Sequence, residues 1–447
     1  MTSATLTPVR DRLGLPDTTG RRNLVGAHLI DSLGTGLLLA FTVVYFARTT
    51  TLTIAAIGAA ITLARLLALP TAIVTGPLID RYGPRAVSAV GNGLSVLAYG
   101  GFLLAQQAWQ IVLVAWLAQV GAVAYWTSST GLVVLAAEGG ERTRWFALVQ
   151  TLRNAGLGIG GALGSLLVAT AGTTGLRALV ALNALSYLAA TALLTTWRPR
   201  PAQRAEPARA ARPAEAAPDE APGGGSYGTV LRDGRYLLLV AINLCSVFGS
   251  MILSMLLAVY LTEGLHQQAW VAGSLLVLNG VQVVLTQSVV ARRLERHRTT
   301  RILAAASLVN ALAFGLFAAL AAAPGWAVLA GLYAAMFLFN VAETMATPYA
   351  EDLSVALARP GMRGRYLAVY QLSWNTGQAL APALLTLLLA RGAALPWAFL
   401  ALLAVAAVPA LLLLERLAGT AADRPAAART GAPADAPAGT LAPAGAP

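Results

Sequence analysis

GPLIDRYGPRAV, residues 76–87, sets an Asp, two Arg and two Pro between long runs of Ala, Leu, Val, Ile and Gly. The flanking runs have almost nothing to offer water, so the first question is which solvent they are built for. Hydrophobic residues make up 57% of the 447-residue chain and charged ones 11%, with a mean hydropathy of +0.67. That is too apolar for a soluble domain of this length. The apolar residues fall in blocks of roughly 20 to 27, the length at which a helix crosses about 30 Å of hydrocarbon. The blocks are continuous rather than alternating, which argues against transmembrane strands.

Twelve blocks can be counted, at 24–47, 54–78, 86–106, 110–136, 145–171, 175–197, 236–262, 269–290, 302–322, 326–349, 366–390 and 395–415. The expected fold is an all-α integral membrane protein of twelve transmembrane helices in two six-helix bundles, 24–197 and 236–416. Residues 1–23 form an N-terminal segment, 198–235 a Pro-, Ala-, Arg- and Glu-rich linker, and 417–447 a tail of similar composition; linker and tail are expected to be disordered. The first block is too long for a signal-peptide core and reads as a retained span. Cys245 is the single cysteine, so neither a disulfide nor a Cys-based metal site can form within the chain.

The formal charge of +12 reports topology. The chain has no Lys, and its Arg residues gather in alternate connections: Arg10 to Arg22 before the first span, Arg81 and Arg85, Arg142 and Arg144, then the arginines of 198–235, 292–301, 359–365 and 416–429. The opposite side receives Arg48, Arg177 and Arg391. This is the positive-inside pattern of a plasma-membrane protein with both termini in the cytoplasm, and it points to anionic lipid as the basic surface's partner rather than to nucleic acid.

The halves repeat. RTRWFALVQTLRNAG at 142–156 and RGRYLAVYQLSWNTG at 363–377 align at an offset of 221, pairing Arg142 with Arg363, Arg144 with Arg365, Gln150 with Gln371 and Asn154 with Asn375. The hinge itself, with Gly76, Asp80, Arg81, Gly83 and Arg85, resembles the G-x-x-x-D-R-x-G-x-R signature of the major facilitator superfamily. The layout of six plus six spans extends that resemblance over nearly the whole chain. The second-half counterpart, ARRLERHRTTR at 291–301, is degenerate: Glu295 and Arg296 survive and the glycines do not.

Gly83 and Pro84 turn the chain, and Asp80 can accept from backbone N–H groups at a facing helix N-terminus or from an Arg. By resemblance the loop locks the cytoplasmic ends of the halves together, and its usual partner is an acid at the end of span four, where Glu138 stands. In span five, Gly156, Gly158, Gly160, Gly161 and Gly164 contain G-x-G-x-x-G, but no strand precedes them, so close helix packing is expected and not a dinucleotide site. The run also resembles the antiporter motif of the family's drug exporters, departing from it at Gly161 and Ser165.

Away from the span ends, four charges lie inside the membrane: Asp31, Arg65, Arg153 and Glu343. At a helix centre each costs roughly 2.5–3.5 kcal/mol, so they are expected to face one another or water. At 1.5 Å per residue, Asp31, Arg153 and Glu343 share a level roughly 10–14 Å in, while Arg65 lies further out. One cation between two acids neutralises one of them and leaves the other to exchange protons. His28, one turn before Asp31, is either a relay or a lipid-facing side chain. Gln119, Tyr125, Trp126, Asn154 and Asn340 are candidates to line a substrate cavity. So are Gln371, Trp374, Asn375 and Gln378. No cofactor and no metal is expected.

The resulting expectation is a monomeric, proton-coupled secondary transporter exporting small hydrophobic or cationic molecules, as drugs or metabolites. Import by symport is the alternative, and a non-transporting scaffold or sensor a third reading. No H-E-x-x-H, G-x-S-x-G or P-loop is present, so neither an enzyme nor ATP-driven transport is expected.

Overall fold

The structure is a computed structural model that describes residues 14–39, 41–137, 139–199, 226–255 and 257–422. It is all-helical over these residues. Seven helices are individually long and apolar enough to span a membrane, and two bent pairs bring that to nine. One of the seven, Gly139–Thr196, is spans five and six joined through Gly172, where φ of 52° and ψ of −126° reverse the chain. Spans three (Pro84–Phe102) and eleven (Arg363–Arg391) are also helices and complete the twelve. Span three carries Asn92 and Ser95, and span eleven opens on two Arg and continues through Gln371, Asn375 and Gln378.

Span one consists of Arg22–Leu39 and Thr42–Thr49. Span two is Ile54–Ala68 and Thr71–Tyr82, bent by 43° at Pro70, which has no N–H to donate to the preceding turn. Gly83, at φ 82°, ends it, and Pro84 opens span three. Span seven runs from Gly234 to Met255, continuing through Leu257–Val259 and a π-turn at Tyr260–Gly264. Spans eight, nine and ten are Ala269–Leu294, Thr299–Ala319 and Gly325–Leu357, and span four is Ala108–Ala136.

Two expected boundaries move. Most of the expected linker lies outside the described residues, but its end is ordered: Ser226 caps a short helix, Tyr227–Leu231, by accepting from Gly228 N–H at 2.9 Å. The Tyr227 hydroxyl donates to the Ile73 carbonyl of span two. Burial pushes that phenol up to about 12, so it stays a neutral donor. The last helix, Leu395–Ala422, runs past the expected end of span twelve because Ala and Leu continue the helical preference beyond Glu415.

The repeat is visible in the hydrogen bonds. Tyr45 Oη donates to the Phe102 carbonyl at 3.0 Å, and Tyr260 Oη to the Phe317 carbonyl at 2.5 Å. The shift is 215 for both partners (260 − 45 and 317 − 102). From span four onward it is 221: the helix ending at Ala136 has its counterpart ending at Leu357.

Glycines set the distance between spans one and five. A Cβ at Gly164 would lie 2.6 Å from the Leu37 carbonyl and one at Gly36 2.5 Å from that of Leu157, and at Gly160 it would collide with the Leu33 carbonyl. Gly158, on the outer face, meets nothing within 4 Å. Gly160→Ala is therefore expected to cost about 1–3 kcal/mol through overpacking. Gly158→Ala should be neutral or slightly stabilising. Thermal unfolding of both variants in detergent checks the contrast, and equal midpoints would remove the close approach as the reason for Gly160.

Candidate transport site

One end of the molecule, the arginine-rich one, is closed by contacts that cross between the halves. Asp80, at the end of span two, accepts from Gly364 N–H at 2.6 Å and from Arg365 Nη1 at 2.9 Å, both at the N-terminus of span eleven. The pair is buried, with side chains 5% and 10% exposed. Gly76 and Gly364 make this approach possible: a Cβ at Gly76 would lie 2.9 Å from Arg365 Cα, and one at Gly364 would overlap the Gly76 carbonyl. Asp80 thus meets both partners anticipated for it, an Arg and a facing helix N-terminus. Glu138 lies outside the described residues. Arg85 bonds the Leu194 carbonyl at 2.9 Å and the Thr195 carbonyl, satisfying the end of span six. Arg81 faces outward over the Tyr82 ring, 5.2 Å from its centroid.

The degenerate hinge works the same way. Glu295 receives two bonds of 2.9 Å from Arg144 at the start of span five. Glu295 is the shifted counterpart of Asp80 (295 − 80 = 215), and Arg365 that of Arg144 (365 − 144 = 221). Arg142 adds a 2.6 Å bond to the fully buried Asp352. Val355 and Leu367 from the second half pack into one apolar cluster with Leu132, Val133 and Trp145 of the first.

Above this closure lies a cavity with two lobes, about 990 and 800 Å³, sharing Ser250, Glu343, Thr347, Glu351 and Trp374. Arg153, Trp126, Gln371, Trp374 and Gln378 line the larger lobe. The Arg153 guanidinium sits over the Trp126 ring, 4.1 Å from the centroid. Among the described residues it makes no ion pair; Glu351, Glu343 and Asp31 act on it through space, in that order. Glu343 receives a 3.4 Å bond from Asn279.

Several candidates lie elsewhere. Asp31 is not on this cavity; it is buried inside the first bundle, near Asn92. The level shared by Asp31, Arg153 and Glu343 is one of depth only, because helix rotation turns Asp31 inward. Arg65 is exposed on the outer face of span two, where its long stem can carry the charge to the membrane surface. Asn340 is tied within the second half, donating to Gln282 at 3.0 Å and accepting from Asn279 at 2.6 Å. Tyr125 is bonded to His28 at 2.9 Å in the core of the first bundle, so His28 faces protein and not lipid. Gln119, Asn154 and Asn375 are half-buried and do not line either lobe.

The sequence model of the Major Facilitator Superfamily matches residues 24–348 and 239–443. The chain belongs to this family. Solved structures share its fold: the human organic anion transporter MFSD10 (TETRAN) at 16% identity and TM-score 0.63, covering 88% of this chain and 99% of that one. The E. coli fucose:proton symporter gives 16%, 0.65, 88% and 98%, and a bacterial homologue of the iron transporter ferroportin, in its outward-facing state, 15%, 0.68, 89% and 99%. A Na(+), Li(+), K(+)/H(+) antiporter of Planococcus maritimus is 28% identical over 170 residues, which is 35% of this chain and 39% of that protein. The chain thus matches about two fifths of that curated relative's length. As a major facilitator protein, this is a multi-pass membrane transporter of small molecules.

One acid on the cavity was not among the sequence candidates. Glu351 accepts from Thr130 Oγ1 at 2.9 Å across the halves. Glu351 falls two residues beyond the expected end of span ten and so was not weighed with the charges inside the membrane; the repeat offset, 351 − 130 = 221, was the signal that could have found it.

Removing one partner of a buried ion pair costs about 3–5 kcal/mol, which is large against the balance between transporter conformations. Asp80→Asn should therefore open the arginine-rich end. In a Cys245→Ser background, maleimide labelling of a Val355→Cys probe is expected to accelerate by about tenfold or more, the equivalent of ~1.4 kcal/mol. Unchanged labelling would mean that the hinge does not hold the closure.

Proposed function

We propose that this protein is a proton-coupled exporter of small hydrophobic or cationic molecules in the plasma membrane, with its arginine-rich end in the cytoplasm. The observation that carries the reading is the cavity holding Arg153, Glu343 and Glu351 above an end closed by cross-half ion pairs. With one cation against two acids, the site favours a positively charged guest, and Trp126 and Trp374 supply aromatic faces for it. Glu343 is the proposed proton carrier. In the alternating-access cycle the halves part at the hinge, the surroundings of Glu343 and Arg153 change, and protonation of the acid becomes linked to which side is open. The Planococcus maritimus relative, an antiporter by name, supports exchange in opposite directions.

In proteoliposomes with an imposed pH gradient, uphill movement of a hydrophobic cation such as tetraphenylphosphonium is expected. Glu343→Gln should abolish proton-driven accumulation while leaving counterflow of the same probe measurable. If proton-driven transport survives and only the apparent affinity falls, Glu343 binds substrate and another acid carries the proton. Accumulation in the same direction as the proton flux would establish symport instead.

A further inference from the structure

Around Asp31 the first bundle contains a polar cluster that the cavity chemistry does not use. Asp31 is 2% exposed and its Oδ1 has no hydrogen-bond partner. The amides of Asn92 and Asn183, two fully buried side chains, make no hydrogen bond of full geometry, although Asn92 lies beside Asp31 and Asn183 beside Tyr99. A Cβ at Gly34, one turn from Asp31, would come 2.9 Å from Asn183 Oδ1. Thr35 and Tyr187 pair their hydroxyls at 3.0 Å, and Tyr99 stacks on Tyr187. A buried polar group left unmet is destabilising, so a polar guest that satisfies several at once is favoured.

The repeat marks the same place in the second half. Shifted by 215, His28, Asp31, Thr35, Asn92 and Ser95 become Asn243, Ser246, Ser250, Ser307 and Asn310. All five line the 800 Å³ lobe of the cavity. The fold therefore places polar side chains at this position in both bundles, and in the first one a carboxylate has been added to them.

We propose that the buried polar cluster of the first bundle binds a dehydrated monovalent cation of the Na+ or Li+ class through the Asp31 carboxylate and the amide oxygens of Asn92 and Asn183, in exchange for a proton. Oxygen donors suit hard cations. One carboxylate balances one positive charge, whereas a divalent ion would leave a net charge in hydrocarbon. No group of three His, Cys, Asp or Glu that could hold a metal ion occurs among the described residues, in keeping with a monovalent guest. The ionisable groups that act on Asp31 or adjoin it are Arg153 from span five, Tyr99, Tyr125 and Tyr187 from spans three, four and six, and His28 through Tyr125. Arg153 already supplies a positive charge, so a cation must replace the Asp31 proton and cannot join it. The exchange converts the carboxylic acid and a free cation into a carboxylate–cation pair and a released proton. This site is separate from the central cavity and does not rest on the export reading.

The test uses the purified full-length protein in lipid nanodiscs, titrated with NaCl, LiCl, KCl or choline chloride at constant ionic strength and mildly alkaline pH. Na+ or Li+ is expected to raise the unfolding midpoint and to release protons into a weakly buffered medium, while choline does neither. Asp31→Asn should abolish both responses. Asn92→Ser and Asn183→Ser should weaken the apparent affinity by about tenfold or more, as expected when one ligand of the shell is lost, and they carry the test if Asp31→Asn does not fold. Identical behaviour in NaCl and choline chloride overturns the proposal, leaving the cluster to water and protons. So does a response that survives Asp31→Asn and disappears in Glu343→Gln, which would place the ion in the central cavity.

Discussion

Closure of one end of this transporter rests on a carboxylate meeting a helix N-terminus. Asp80 takes both a free N–H in the first turn of span eleven and the guanidinium of Arg365, and two glycines let the backbones come close enough for it to do so. A side chain at either glycine would hold the halves apart and leave a buried charge unpaired. The apolar cluster that joins Val355 and Leu367 to the first half, and the Arg142–Asp352 pair, assemble behind that contact. The cavity is sealed on this side because these interactions close together.

The repeat shows how tolerant that design is. Glu295 stands where Asp80 stands, without the glycines, yet it reaches the shifted counterpart of Arg365. Glu carries one more methylene than Asp, so the acid reaches its guanidinium at 2.9 Å without those glycines. The position where the two copies meet is marked by Thr130 and Glu351, which are repeat counterparts and also hydrogen-bond partners. Counterparts can touch only beside the axis that relates the halves.

Much of the fold was legible in sequence because block length in a membrane is a physical ruler, and all twelve blocks are helices in the structure. Asp80 was legible too, since a carboxylate in an otherwise basic turn has few partners able to satisfy it. What failed was azimuth. Rise per residue gives depth, but not the direction a side chain faces, so Asp31 and Arg153 share a level and have different surroundings, and Arg65 points away from the bundle. Asn340 looked like a cavity group until span eight supplied Asn279 and Gln282 as partners. Glu351 was lost to a boundary set at 349, where helical geometry continues to Leu357.

The absence of lysine from the chain has a consequence for the closed end. Every cation in its cross-half pairs, Arg142, Arg144 and Arg365, is a guanidinium, and their partners are all carboxylates. A guanidinium is a planar fork that can hold both oxygens of a carboxylate, as Arg144 holds Glu295, where an ammonium would offer only a point charge. The seal is therefore directional as well as charged: it forms when the halves meet in register and not merely when they come near.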